Sequence, residues 1–221
     1  MGFVFVFDMD ATIAGDYVYP SLIGINRTTD DIDLNPKIVN LLRVMTEGRQ
    51  NGKVDAIFLY TNNSDISYIS LVESALIKRI PDFTFDNIMS CRDPRRVEKN
   101  AFNPKKCLAD VITMAEATLV PLKNLETRVF FFDDVPNHKI RDELPEGHYI
   151  NITPPYSKNN KEDWTDYGLV KWTLADAGLP ALNAIRGGKR ITRRKRKAAK
   201  HKKWATRRLR KPGPKPSQNA L

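Results

Sequence analysis

The chain has 221 residues, of which 41% are hydrophobic and 28% are charged, and this length and composition suit one α/β domain with appendages. It contains no apolar run long enough to cross a membrane, and its amino terminus lacks the charged-then-apolar layout of a secretion signal. The two cysteines, Cys91 and Cys107, argue against a disulfide framework and do not have the spacing of zinc ligands. We therefore expect an intracellular protein in a reducing compartment.

The formal net charge of +10 is distributed unevenly along the chain. Residues 186–221 hold 16 of the 36 lysines and arginines and none of the 26 acidic residues, which leaves 20 basic against 26 acidic residues in 1–185. The first part therefore carries about −6 charges and the second about +16. The sequence thus predicts an acidic folded domain over 1–185 and a basic arm over 186–221, which is expected to be disordered when free.

The most informative stretch is a short apolar strand followed by two carboxylates. Residues 2–7 have the composition of a strand buried on both faces of a parallel sheet, and Asp8, Asp10 and Thr12 follow them. This end of a strand lies at the sheet edge where open α/β folds bind ligands. Because Asp8 and Asp10 repel each other there, we expect a positive group beside them: Mg²⁺, a lysine, or both. The alternative is a strand with an acidic, solvated end.

The rest of the chain up to about residue 155 repeats a unit of strand, polar strand end and helix. The predicted strands are 2–7, 54–60, 87–91, 128–132 and 148–153. The first predicted helix starts at Pro36 and ends near Gly48, and the second starts after Ser64 or Asp65 and ends before Pro81. A third helix is predicted to start at Pro104, and a fourth to cover 167–178. Residues 13–33 are irregular and are interpreted as a loop or small flap. The expected fold class is α/β, a three-layer Rossmann-like parallel sheet without a cap or with a small flap.

Two further strands of this sheet are also predicted to end in polar residues. Thr61 and Asn62 follow the second strand, and Asp133 and Asp134 follow the strand 128–132. Because the carboxyl ends of parallel strands meet at one edge of a sheet, these residues are expected to lie near Asp8 and Asp10.

Two lysines precede the last of these strand ends. Lys105 and Lys106 follow an Asn-Pro pair and are therefore expected in the first turn of a helix. Lysine opposes the helix dipole in that place, which indicates a purpose other than helix stability. For the nearby Arg95 and Lys99 we expect solvated surface charge.

Together and in this order, these polar strand ends resemble the signatures of the haloacid dehalogenase superfamily of aspartate-nucleophile phosphotransferases, over roughly residues 3–155. The four signatures correspond to Asp8/Asp10/Thr12, to Thr61, to Lys105 or Lys106, and to Asp133/Asp134. The stretch from Asp8 to Ile13 is also similar to the Asp-Leu-Asp-Glu-Thr-Leu signature of RNA polymerase C-terminal-domain phosphatases, the NLI-interacting-factor-like branch. Lys106-Cys107-Leu108 is similar to the Lys-Asp-Leu of that branch, and Asp133-Asp134-Val135-Pro136 to its Asp-Asn-Ser-Pro. Ala11 and Thr61-Asn62 depart from its pattern.

The resemblance implies a Mg²⁺-dependent phosphatase with named roles for these residues. Asp8 would attack phosphorus and become an aspartyl-phosphate, while Asp10 would act as the acid and then as the base. Phosphoryl oxygens and substrate would contact Thr61, Thr12, Asn62 and Lys105, and Lys106 would offset the phosphate charge. Mg²⁺ would bind Asp8, the backbone carbonyl of Asp10 and Asp134, with Asp133 as an outer or alternative ligand.

The short interval between Thr12 and Thr61 leaves no room for a large cap domain, and an open site suits a phosphate displayed on a macromolecule. The motifs favour a phosphoprotein, whereas the basic arm favours a nucleic-acid end. Residues 186–211 are expected to bind nucleic acid by counterion release, although they would serve equally well as a nuclear-import address. The alternative is a function that is not enzymatic, in which the protein binds nucleic acid and its phosphatase-like domain is an inactive scaffold.

Overall fold

The computed structural model describes residues 1–15, 27–98, 104–153 and 155–157. In this part of the chain, five strands and four α-helices alternate along the sequence. The elements are β1 (Phe3–Phe7), α1 (Pro36–Gln50), β2 (Val54–Tyr60), α2 (Ile66–Arg79), β3 (Asn87–Met89), α3 (Leu108–Ala117), β4 (Val129–Asp133), α4 (His138–Glu143) and β5 (Tyr149–Asn151). Short 3-10 helices cover Thr29–Asp31 and Leu125–Thr127.

The five strands form one parallel sheet in the order β3-β2-β1-β4-β5. The chain moves outward from β1 to β3, returns to the other side of β1 and continues to β5. This is a Rossmann-like order, and its direction reverses between β1 and β4. The predicted α/β fold with a parallel sheet is therefore confirmed.

Both faces of the sheet are covered by helices. One apolar cluster contains Val4 and Val6 of β1, Ala56, Phe58 and Tyr60 of β2, Phe131 of β4, Ile140 of α4 and residues of α3. On the other face the rings of Phe7 and Phe132 stack at 4.5 Å, and α1 packs against β2. No buried side chain of α1 or α2 belongs to the first cluster, so these two helices cover the second face.

Side-chain caps determine where the first two helices begin. The side chain of Asn35 accepts a hydrogen bond from the Lys37 amide and donates one, 3.0 Å long, to the Thr12 carbonyl. It therefore starts α1 and also fastens the loop that follows β1. Asp65 caps α2 through the amide of Tyr68, which decides between the two predicted caps, Ser64 and Asp65.

The prediction that α3 begins at Pro104 is wrong, because α3 begins at Leu108 and the two lysines precede it. A helix that began at Pro104 would need the carbonyls of Pro104 and Lys105 as acceptors. Both carbonyls instead accept from the guanidinium of Arg96, and the amide of Leu108 donates to the Glu143 carboxylate at 2.6 Å. Tertiary hydrogen bonds thus replace the first turn.

Several predictions fall on residues that are not described. They are residues 16–26 of the predicted flap, the expected surface charge of Lys99, the helix over 167–178, and the arm over 186–221 with its boundary at 185. Among the described helices, none is both long enough and apolar enough to cross a membrane.

Candidate active site

The site forms at the carboxyl edge of the sheet, where the strand order reverses. Asp8 follows β1, Asp133 ends β4, and Phe7 and Phe132 are partners in the ladder between these strands. The amide of Asp8 continues the ladder by donating to the Phe132 carbonyl at 2.8 Å. Asp134 follows directly, and each of the three carboxylates offers an oxygen within 4.8 Å of the others. Neighbouring parallel strands therefore bring the predicted carboxylates together.

Lys106 places its ammonium inside this cluster. Its Nζ lies 2.8 Å from Oδ1 of Asp8 and 3.2 Å from Oδ1 of Asp133. Burial by itself would lower the pKa of Lys106, but the two carboxylates outweigh burial and raise it above its ordinary value. The ammonium is therefore charged. Lys105, in contrast, is exposed, so the structure brings the second of the two predicted lysines to the carboxylates.

One ammonium does not neutralise three carboxylates. The pKa of Asp133 is raised to about 6, mainly by burial. The charge of Lys106 acts to lower this pKa, and the charge of Asp8 acts to raise it. Burial followed by repulsion from Asp8 and Asp133 raises the pKa of Asp134 to about 7. A compact set of carboxylate oxygens with an excess of negative charge is the donor set that Mg²⁺ prefers. These three aspartates therefore fit the ion that the sequence implies.

Asp10 lies beside the three carboxylates and has a raised pKa. Burial, and then the charge of Asp8, raises the pKa of Asp10 to about 6. Nδ2 of Asn63 donates to both of its carboxylate oxygens, at 3.1 and 3.3 Å, which fixes the direction of the carboxyl group. The sequence showed Asn63 only as one of several polar residues after β2 and did not predict this contact.

The two predicted threonines, Thr12 and Thr61, are fully buried. The hydroxyl of Thr61 accepts from the amide of Asn63 at 3.0 Å and so shapes the loop after β2. The Thr12 carbonyl is bound by Asn35, and its buried hydroxyl has no hydrogen-bond partner among the described residues. The assignment of both residues to phosphate binding stays a prediction.

A cavity of about 460 Å³ opens above the cluster. Asp8, Asp10 and Lys106 lie in its wall, and Asn62, Lys105 and Lys139 contribute to the same lining. Lys139 pairs with Glu98 at 3.2 Å. Cationic groups thus border the acidic cluster, and positive charge at the edge of a cleft attracts anions.

Beside the cavity lies a buried arginine that the sequence did not reveal. Arg96 forms an ion pair with Asp110, and Tyr60 donates its hydroxyl hydrogen to the same carboxylate. Burial and this carboxylate hold the pKa of Tyr60 above its usual range. One signal in the sequence was the position of Asp110 one turn before Met114 on the apolar face of α3, because a carboxylate there needs a buried donor.

The last described residues bind the loop that carries Asp8 and Asp10. Ala11 adopts a left-handed conformation with φ of +54°, and its carbonyl accepts from the amide of Tyr156 at 2.7 Å. The hydroxyl of Tyr156 donates to Asp33 at 3.0 Å and lies 3.3 Å from the Leu34 carbonyl. The segment after β5 thus crosses the loop that carries Asp8 and Asp10, a contact that the sequence did not predict.

No family model matches the chain, and no curated protein matches it. Among solved structures, a crystal structure from Thermotoga maritima described as a "putative beta-phosphoglucomutase" aligns with 85% of this chain and 99% of that chain, with 13% identity and a TM-score of 0.43. A likeness of that size carries no argument about activity.

Proposed function

We propose that this protein is a Mg²⁺-dependent phosphomonoester hydrolase in which Asp8 is the nucleophile. The observation that carries this proposal is the position of Asp8 at the reversal point of the sheet, between the Lys106 ammonium and the Asp133–Asp134 pair. A structural ion pair needs one carboxylate for each lysine. Here the surplus of carboxylates opens into a cavity, which is the arrangement a site for a cation and a phosphate requires.

The first half of the reaction transfers the phosphoryl group to Asp8. A carboxylate oxygen of Asp8 attacks phosphorus, and the bond from phosphorus to the ester oxygen of the substrate breaks. Lys106 offsets the repulsion between the carboxylate and the phosphate dianion. Mg²⁺ held by Asp8 and Asp134, with Asp133 as the alternative ligand, would neutralise charge on the phosphoryl oxygens.

Asp10 transfers the proton in both halves of the reaction. In its protonated form it supplies the proton that the departing alkoxide takes up, and the resulting carboxylate then removes a proton from water. The water oxygen attacks phosphorus, the bond to Asp8 breaks and inorganic phosphate leaves. A pKa of about 6 suits both directions of transfer near neutral pH, and Asn63 keeps the carboxyl group oriented.

The proposed substrate is a phosphate on a macromolecule. The motif similarity suggests a phosphoprotein, whereas the +16 charge of residues 186–221 and the cavity residues Lys105 and Lys139 favour a nucleic-acid end. Basic segments of this kind bind nucleic acid by counterion release, largely without regard to sequence. The nucleic-acid end is therefore the substrate that the charges support better.

A substrate panel with the full-length protein tests this function. The panel contains an aryl phosphate, phosphoserine peptides, and oligonucleotides with a 3′- or 5′-phosphate, each with Mg²⁺ and with a chelator. Hydrolysis should need Mg²⁺ and should disappear in Asp8→Asn while that variant keeps a cooperative unfolding transition. Activity that survives in Asp8→Asn refutes the mechanism. Oligonucleotide binding without hydrolysis of any substrate would instead favour the inactive-scaffold alternative.

A further inference from the structure

Two lysines that are accessible to solvent line the cavity beside the acidic cluster. They are Lys105, which is exposed, and Lys139, whose side chain is 35% exposed. The buried Lys106, in contrast, lies between Asp8 and Asp133, where the phosphoryl group would react. Lys105 and Lys139 can therefore contact a different part of the substrate.

Glu98 connects the chain segments that carry these two lysines. Its Oε2 accepts a hydrogen bond from the amide of Lys105 at 2.8 Å, and its Oε1 accepts one from Nζ of Lys139 at 3.2 Å. The segment before α3 and the helix α4 are thus joined next to the cavity. Two ammonium groups and one carboxylate leave a net charge of +1 at this place.

We propose that Lys105 and Lys139 form a second anion subsite, which binds the phosphodiester next to the terminal phosphate of a nucleic-acid end. The proposal rests on the phosphatase function proposed above and names the feature of the substrate that the cavity recognises. A phosphodiester carries one negative charge, which matches the net charge of the two lysines and Glu98.

The cavity is larger than a single phosphoryl group needs. Its volume of about 460 Å³ lies within the range of about 300–1,000 Å³ that holds drug-sized ligands, whereas a phosphoryl group has only a few heavy atoms. The carboxylates and Lys106 would occupy one part of the wall around the reacting group. The part lined by Lys105 and Lys139 remains for the adjoining nucleotide.

The lining favours recognition of the backbone over recognition of the bases. Among the described residues that line the cavity, none is a phenylalanine, tyrosine or tryptophan on which a base could stack. Lysine acts on phosphate as a point charge on a flexible stem and carries no information about the base. Every nucleotide after the first supplies a phosphodiester, so the subsite suits a nucleic-acid end of any sequence.

The test compares three substrates with the full-length protein and Mg²⁺. They are a nucleoside monophosphate, a dinucleotide with the same terminal phosphate, and that dinucleotide with a methylphosphonate linkage, which has a similar size and no charge. For the wild type, kcat/KM should be about 5- to 20-fold higher for the phosphodiester dinucleotide than for the other two substrates. Equal values for the phosphodiester and the methylphosphonate overturn the proposal.

Variants of the two lysines locate the preference for the phosphodiester. In Lys105→Gln/Lys139→Gln the preference should fall below about twofold, whereas Lys105→Arg/Lys139→Arg keeps both charges and should keep the preference. The matched control is Lys78→Gln/Lys123→Gln, because Lys78 also holds an exposed ion pair, Lys123 is exposed, and neither lines the cavity. Residues 186–221 are present in every variant, so they cannot cause a difference. Equal losses in the glutamine variant and the control, or a lost preference in the arginine variant, overturn the proposal.

Activity and preference are separate measurements, so the subsite and the proposed function fail differently. A wild type that hydrolyses an aryl phosphate without preferring the phosphodiester refutes the subsite alone. A wild type that is inactive on every substrate refutes the proposed function, and calorimetric binding of the two dinucleotides then decides about the subsite. Tighter binding of the phosphodiester that Lys105→Gln/Lys139→Gln loses supports the subsite, and equal binding refutes it. A preference for doubly over singly phosphorylated peptides, with none among the nucleotides, overturns the assignment to nucleic acid.

Discussion

Replacing Lys106 with methionine would show whether the ammonium holds the carboxylates together. Methionine occupies a similar volume without charge, so Asp8 and Asp133 would stay buried beside each other without their cation. At 2.8 and 3.2 Å each attraction amounts to about 5–6 kcal/mol at an effective dielectric constant of about 20. Desolvation of the three groups offsets much of this, and removal of one partner from a buried pair costs about 3–5 kcal/mol.

We therefore expect the free energy of unfolding of Lys106→Met to be about 3 kcal/mol lower than that of the wild type without divalent cations. For a chain of this size, the midpoint of thermal unfolding would fall by about 6–12 °C. Mg²⁺ should raise the midpoint of the variant more than that of the wild type, because a bound cation replaces the missing positive charge. Circular dichroism melts with MgCl₂ and with a chelator measure both effects.

Lys105→Met is the matched control for this experiment. Lys105 is adjacent in sequence but exposed, so its loss should change the free energy of unfolding by no more than about 0.5 kcal/mol. Equal melting shifts for the two variants would contradict the reasoning. So would a Lys106→Met protein that Mg²⁺ stabilises no more than the wild type.

Four further predictions follow from the site and the charge distribution. Asp10→Asn should slow turnover and let phosphorylated enzyme accumulate, visible as a mass increase; unchanged turnover would argue against an acid role. Tyr156→Phe should lower unfolding free energy by about 1 kcal/mol in urea titrations, and no change would exclude a structural role for its hydroxyl. Truncation after Ala184 should remove salt-dependent oligonucleotide binding and spare aryl phosphate hydrolysis, whereas retained binding would move the nucleic-acid surface onto residues 1–184. Asp134→Asn should weaken Mg²⁺ binding in calorimetry more than Asp133→Asn does, and equal losses would contradict the division of roles argued below.

The sheet was predictable because its strands are short apolar runs with abrupt polar ends. All five strand predictions agree with the structure within two residues at each end, and the largest differences are at the carboxyl ends of 87–91, observed as Asn87–Met89, and of 148–153, observed as Tyr149–Asn151. The proximity of Asp8 to Asp133 followed from a general property of parallel sheets, since carboxyl ends meet at one edge. Neither inference needed knowledge of a specific side-chain contact.

The start of α3 was not predictable, because it depends on partners that are distant in sequence. An Asn-Pro pair is a good local signal for a helix start, and the same signal was correct at Asn35-Pro36. Before α3 the acceptors of the first turn are bound by Arg96 instead. Local propensity amounts to a fraction of a kcal/mol per residue, and a set of buried hydrogen bonds outweighs it.

The sequence also did not show which of two neighbouring residues of the same type is buried. Arg95 and Arg96 stand in the same basic run, yet one is exposed and the other is fully buried. Likewise, Lys105 is exposed and the adjacent Lys106 is buried. In an extended segment one of two neighbours must face inward, but which one does so is decided by the groups that hold the segment at its ends.

Asp133 and Asp134 are adjacent, but the structure gives them different counter-charges. Lys106 binds Asp133 directly, whereas the negative charges of Asp8 and Asp133 both act on Asp134. Burial and the neighbouring carboxylates raise the pKa of both residues above the ordinary value. The carboxylate whose negative charge is least compensated by protein groups gains most from a bound cation. In the proposed mechanism Asp133 would mainly hold the lysine and Asp134 would mainly hold Mg²⁺, so the two positions are not interchangeable although the residues are the same.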